Sequence, residues 1–420
     1  MLSRQDYRTL SLSSLGGALE FYDFIIYIFF AKEIGSLFFP HHVEWLQQVN
    51  AYAVFAAGYL ARPLGGLVMA HSGDLFGRKR MFMLSILLMA LPTLAIGLLP
   101  TYATLGFWAP LALLVLRTLQ GAAVGGEIPG AWVFVSEHVQ PRHIGVACGI
   151  LTAGLTGGIL LGTLVATGVH HLYPTEGQML QHGWRVPFII GGGFGMLAVW
   201  LRRYLQETPV FRELQAEQKL ADEMPLKRVV RGHGGSVALV MALTWLLSAA
   251  IVVMILMTPA LLQKLYHIPP ATTLAASSVA TLFLSVGCIA FGALSDRFGP
   301  GSVLAIGCVA LGVVSLGLYH WLPVMPGHIY ELYALCGLFV GVIGVVPVVG
   351  VSAFPAEVRF SGLSFSYNVA YAIFGGLTPV AVSWAMRLDP FAAPHYVAAL
   401  CVVGVLAGIY LLRKPVMKLA

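Results

Sequence analysis

Twelve apolar runs, each about twenty residues or longer, follow one another along this chain, most of them separated by short polar loops. They cover residues 11–39, 48–72, 81–99, 107–136, 144–169, 185–204, 236–258, 270–293, 302–320, 329–353, 361–386 and 394–413. A run of about 20 apolar residues crosses a bilayer as a helix, because lipid offers no hydrogen-bond partners and a helix satisfies its own backbone. No soluble fold needs so many such runs. Hydrophobic residues make up 58% of the chain and charged residues 10%, against about 25% charged in soluble domains. The chain therefore reads as an all-α polytopic membrane protein with twelve transmembrane helices and the lipid bilayer as its surroundings. No cleavable signal is expected, since the first run is longer than a signal's apolar core and no small-residue cleavage site follows it.

The net charge of +6 would suit nucleic acid, but the basic residues sit in loops between apolar runs, where they act as orientation signals. Nucleic-acid binding is excluded on that ground. Only Lys32, Arg185, Lys264 and Arg387 fall on one side of the membrane, and Arg62 and Arg117 lie within runs; the other basic residues flank loops on the side of both termini. That side is predicted to be the cytoplasm. The longest polar segment divides the chain into a six-helix bundle at 1–205, a cytoplasmic linker at 206–235 and a second six-helix bundle at 236–420. The halves echo each other. GDLFGRKR, from Gly73 to Arg80, follows the second run, and SDRFGPG, from Ser295 to Gly301, follows the eighth; Arg142 and Gly145 after the fourth run correspond to Arg359 and Gly362 after the tenth. Parallel six-helix repeats with a site between them describe a transporter that works by rocking.

Charges inside the runs point to that site. At about 100° per residue, Glu20, Asp23 and Tyr27 share one stripe of the first helix, and Arg117, Gln120 and Glu127 share one stripe of the fourth. A charge at bilayer depth costs several kcal/mol, so both stripes face inward. Arginine does not shed its proton and must find an anion; Asp23 is expected to pair with Arg117. Either the pair couples proton to solute, or it is a permanent buried pair that couples nothing. Glu127 is open to three roles: an inter-helix clamp with Arg62, a proton relay, or a substrate contact. Counting Glu20, Asp23 and Glu127 against Arg62 and Arg117, the set carries one negative charge when ionised, and one proton neutralises it.

Together with these residues, Arg62-Pro63-Leu-Gly65-Gly66, Gly73 to Arg80, Arg117-Thr-Leu-Gln120-Gly121, Gly125-Gly126-Glu127, Gly183-Trp184-Arg185-Val-Pro187-Phe188, Glu207-Thr208-Pro209-Val-Phe211 and Asn368 with Gly375-Gly376 occur in order along nearly the whole chain. In this the chain resembles the major facilitator superfamily, and within it the metabolite:proton symporter family of proline/betaine, α-ketoglutarate, citrate and shikimate permeases. The resemblance implies proton-coupled uptake by rocker-switch alternating access. It also implies a cytoplasmic gate, assigned here to Asp74, Arg78, Glu137 and Arg142. Proton-coupled sugar porters of the wider superfamily likewise set an acid in the first span opposite an arginine in the fourth. Two departures occur: Ala70 stands where the loop motif usually begins with glycine, and Ile144 where arginine usually precedes Gly145. The second copy has lost its basic residues at Gly299-Pro300-Gly301, which predicts a weaker or one-sided latch. Gly154, Gly158 and Gly162 lack the proline that antiporters of the superfamily place among such glycines, which favours uptake over export.

The expected proton-coupling residues are Asp23, Glu20, Arg117 and Glu127. The expected substrate contacts are Arg117, Tyr22, Tyr27, Arg62 and Gln120 from the first half, with Tyr367, Asn368, Tyr371 and Trp245 from the second. One or two arginines and no cation in the second half suit a small monocarboxylate or zwitterion such as an organic acid, an amino acid or betaine, and leave a tricarboxylate undercompensated. The alternatives are a proton-coupled exporter of drugs or metabolites, and an importer of a larger polycarboxylate such as citrate or a carboxylate siderophore. No HExxH, GxSxG or P-loop pattern appears, the 13 histidines are scattered, and the five cysteines stand singly; an enzyme, a metal site and a cofactor are not expected. The partners expected are the solute and the proton as coupling ion, and the working unit is a monomer.

Overall fold

The computed structural model of the protein describes residues 4–40, 44–216 and 225–414. Twelve helices are long and apolar enough to cross a membrane: α1 (Thr9–Phe29), α2 (Val49–Phe76), α3 (Arg78–Leu98), α4 (Trp108–Ser136), α5 (Pro141–Leu172), α6 (Glu176–Arg202), α7 (Gly234–Tyr266), α8 (Thr272–Phe298), α9 (Pro300–Trp321), α10 (Pro326–Ser352), α11 (Ala356–Ala385) and α12 (Ala392–Arg413). The protein is a multi-pass membrane protein. With an even number of such helices among the described residues, the start of α1 and the end of α12 lie at one face, called here the terminal face. Large apolar side chains such as Leu60, Leu64, Val68, Ile306 and Val380 stand exposed on the outside, as a surface facing lipid requires.

The helix pairs of the first half recur in the second. α1 packs on α5, α2 on α4 and α3 on α6; likewise α7 packs on α11, α8 on α10 and α9 on α12. The same repeat shows in the turns. Gly77 between α2 and α3 has φ +114°, and Gly299 between α8 and α9 has φ +83°, a backbone region that only glycine enters without cost. The two echoing loop motifs are therefore the same tight turn used twice.

The two sets of helices meet along α5 with α8 and along α2 and α4 with α11. On the first of these lines the backbones almost touch. A Cβ on Gly145 would run into the Gly292 carbonyl, and one on Gly149 into that of Cys288, the small-residue contact that lets membrane helices approach closely.

Three spans lose regular α geometry at depth. α7 carries a π turn at Val252–Met257, α11 one at Tyr371–Gly375, and α10 a 3-10 stretch at Gly341–Val345. The π turn explains why α7 runs beyond residue 258, where the apolar run ends. Pro259 has no backbone N–H to donate, but it stands two residues after the π turn, in the first turn of the helix that follows, and the Thr258 hydroxyl donates to the Val253 carbonyl, 2.8 Å away.

Candidate functional site

Asp23 of α1 and Arg117 of α4 form an ion pair, Oδ2 to Nη1, at 2.7 Å. Gln120, one turn after Arg117, accepts from the same Nη1 at 2.9 Å and donates to Asp23 Oδ1 at 3.0 Å. Thr93 of α3 completes the cluster with its hydroxyl 3.0 Å from Asp23 Oδ1. The Arg117 guanidinium lies over the rings of Tyr27 and Phe55, 4.2 and 5.2 Å from their centroids. Each polar group thus holds another, and the pair is about 5% exposed on each side. It borders a narrow cavity of about 40 Å³ that reaches across the seam to Tyr371 of α11 and is also lined by Arg62 and Tyr59 of α2.

The seam is sealed toward the terminal face. Arg78 pairs with Asp74 at 3.2 Å and with Glu137 at 2.7 Å, and Glu137 pairs with Arg359 of the second half at 3.1 Å. Asp74 accepts from the backbone N–H and the hydroxyl of Ser361, at 3.0 and 2.7 Å, and Arg78 donates to the Ala356 carbonyl. In the other direction Asp296 accepts from the N–H groups of Gly145 and Val146, at 2.6 and 2.8 Å. Each aspartate caps the first turn of a helix in the opposite bundle, where free N–H groups and the helix dipole favour a negative charge. Toward the other face the seam parts around a cavity of about 260 Å³ between α1 and α5 on one side and α7 and α8 on the other.

The Major Facilitator Superfamily profile matches residues 13–379. The chain belongs to this superfamily. Over 96% of its length it is 30% identical to the putative proline/betaine transporter of Staphylococcus aureus (strain COL), covering 88% of that protein, and 30% identical to the proline/betaine transporter of Salmonella typhimurium, covering 82%. Its fold is that of the major facilitator superfamily proton:xylose symporter XylE bound to 6-bromo-6-deoxy-D-glucose, with a TM-score of 0.78, 15% identity, and coverage of 99% of this chain and 96% of that one. As a member of the major facilitator superfamily with relatives named as transporters, the protein is a secondary transporter.

In this superfamily member several residues sit where the sequence did not place them. Glu127 does not meet Arg62. It binds Arg202, the last residue of α6, through both carboxylate oxygens, and accepts from the Ser85 hydroxyl. Arg202 also donates to the carbonyls of Leu12, Ser13 and Phe82, and both partners are fully buried. Arg202 ends an apolar run and so looks like a loop charge, but its side chain turns back into the bundle; Glu127 is thereby taken out of the charge set around the cavity. Arg142 is exposed and, among the described residues, bonds only the nearby Gln140 side chain, so the second-half copy Arg359 takes the gate position given to it. The latch is not one-sided: the second motif has lost its basic residues but keeps Asp296 on the opposite bundle.

The transporter's remaining expected contacts divide. Gln120 and Tyr371 line the cavity, and Tyr27 lies under Arg117 with its hydroxyl donating to the Ala51 carbonyl. Tyr22 donates to the Pro187 carbonyl inside the first bundle and Trp245 to the Tyr396 hydroxyl inside the second, so neither presents a group to the cavity. Asn368 donates to the Gly125 carbonyl at 2.7 Å, and beside it Ser364 donates to that of Gly66; it closes the seam instead of facing solute. The Glu20 side chain and linker residues 217–224 lie outside the described residues. Thr93, Tyr59 and Phe55 escaped the sequence reading because a hydroxyl or a ring on an apolar helix has no signature of its own.

Proposed function

We propose that the protein is a proton-coupled symporter that imports a small carboxylate-bearing solute, with a zwitterion of the proline or betaine kind as the best fit, by rocker-switch alternating access. The observation that carries the reading is the Asp23–Arg117 pair, buried yet bordering the seam cavity. With Glu127 committed to Arg202, the sequence charge set reduces to Glu20 and Asp23 against Arg62 and Arg117, which is neutral. One proton and the carboxylate of the solute then cancel beside Arg117, where an uncompensated charge costs several kcal/mol; a monocarboxylate leaves the site neutral, and a zwitterion leaves one positive charge, that of its ammonium group. A proton on Asp23 releases the Arg117 guanidinium, whose planar fork suits a carboxylate. A tricarboxylate would leave charge unmatched. The names of the relatives, proline/betaine transporters, support the same solute class.

In this reading the termini are cytoplasmic, the membrane is the bacterial inner membrane, the sealed face is the cytoplasmic one, and the working unit is a monomer. The test is uptake by proteoliposomes under an imposed pH gradient, acidic outside, with labelled betaine and proline. Accumulation that collapses when the gradient is dissipated supports the reading; equal uptake with and without the gradient overturns it.

A further inference from the structure

Arg62 lies in a box of three tyrosines that straddles the seam. Its guanidinium carbon stands 5.3 Å from the ring centroid of Tyr59 on its own helix, and 4.5 and 6.0 Å from those of Tyr371 and Tyr367 on α11. The rings support one another: Tyr371 stacks on Tyr59 at 6.2 Å and tilts against Tyr367 at 5.4 Å, and Tyr367 meets the buried Trp132 edge-on. Arg62 is 4% exposed, so the box is largely desolvated, the setting in which a cation over an aromatic face gains most. Such faces also bind quaternary ammonium groups. Tyr371 is the first residue of the α11 π turn, a local irregularity frequent at functional sites, and Arg62 and Tyr371 both line the cavity beside Arg117.

We propose that Arg62 is an internal stand-in for the ammonium group of the solute: it fills the tyrosine box in the empty carrier and gives the box up to a fully substituted ammonium. This rests on the reading of the site as one for a small carboxylate. The solute carboxylate takes Arg117, released by the proton on Asp23; the ammonium takes the faces of Tyr59 and Tyr371; Arg62 turns along the cavity toward the carboxylate. Because the box has rings from both bundles, either occupant ties them together, and the empty carrier keeps a bridged seam through which it can return.

The test measures binding to purified protein by competition against labelled betaine, with tetramethylammonium, a cation without a carboxylate, and 3,3-dimethylbutanoate, the uncharged-head isostere of betaine. Wild type is expected to prefer betaine over the isostere about tenfold and to bind tetramethylammonium poorly, because that ion must evict Arg62 with no carboxylate to receive it. In Arg62→Gln tetramethylammonium is expected to bind about tenfold better, its competition being read against whichever labelled ligand the variant retains. Adding Tyr371→Leu should abolish that gain, whereas mere relief of charge repulsion would survive it. No gain in Arg62→Gln, or a gain that persists with Tyr371→Leu, overturns the proposal. Should Arg62→Gln fail to fold, Tyr371→Phe and Tyr371→Leu in the wild-type background decide: the first keeps the preference for betaine and the second loses it, and equal behaviour overturns the proposal. Equal binding of betaine and its isostere by wild type overturns the stand-in alone; binding of neither overturns the small-carboxylate reading as well.

Discussion

The Ser361 hydroxyl lies 2.7 Å from Asp74 Oδ2, a contact between the last turn of α2 in the first bundle and the start of α11 in the second. With the Ser361 N–H on the same oxygen, one buried carboxylate ties together two bodies that must separate if the carrier is to open at its terminal face. Charge-assisted bonds of this kind contribute about 1.5–3 kcal/mol, enough to set which face is closed without forbidding the alternative.

Asp74→Asn is expected to open the terminal face. The amide keeps the shape but loses the charge that the helix start favours, so the closed population should fall by about tenfold or more. Spin labels at Arg142→Cys and Arg297→Cys, both exposed and on opposite bundles, would report a longer distance; an unchanged distance distribution counts against the latch.

Asp23→Asn is expected to retain solute exchange and lose accumulation, with the inside-to-outside ratio falling to about one. The amide can still accept from Thr93 and Gln120 but cannot cycle a proton, and Arg117 is left without its anion. Measured in proteoliposomes, persistent concentrative uptake would make the pair purely structural.

Glu127 and Arg202 are expected to behave as a structural pair. Removing one partner strands a buried charge and typically costs about 3–5 kcal/mol, while replacing both by apolar residues costs far less. Arg202→Met should lower the thermal midpoint strongly, Glu127→Leu with Arg202→Met should recover much of it, and accumulation per folded molecule should stay unchanged in the double variant. A loss of coupling there would restore Glu127 to the proton path.

Gly145→Val is expected to hold the carrier open at the terminal face. Its side chain would meet the Gly292 carbonyl and the Asp296 carboxylate, and backbone cannot give way as a flexible side chain does. Exchange and net uptake should both drop; protein that reconstitutes with normal transport would show that α5 and α8 need not close this tightly.

His138 links stability to acid. It lies in the loop after α4, bonds the Phe134 carbonyl at 2.8 Å and tilts against the Phe134 ring, 4.3 Å between centroids. Burial holds its pKa below the ordinary 6.5, against the Phe134 carbonyl bond and the charges of Glu137 and Glu207, which raise it, and with Arg212, which lowers it. The unfolded chain therefore binds this proton first as pH falls. Its contribution to stability is present above pH 6.5, declines from there toward the lower native value, and then levels off. Thermal midpoints taken from pH 8 to 5 should fall less in His138→Phe than in wild type; parallel curves would assign the acid sensitivity elsewhere.

The sequence by itself determined the twelve spans, their duplication and the inward stripes of Asp23, Arg117 and Gln120. Each follows from a local property: the cost of a polar backbone or a charge in lipid, read at the period of a helix. Local properties do not say which stripe meets which. That choice belongs to helices packed from distant parts of the chain, and tertiary structure alone decided that Glu127 takes Arg202 over Arg62, that Arg359 stands at the gate in place of its echo Arg142, and that Asn368 binds the Gly125 carbonyl across the seam. Thr93 joins Asp23, and three tyrosines enclose Arg62, for the same reason: hydrogen bonds and ring faces act within a few ångströms, and only the packed bundle brings such groups that close.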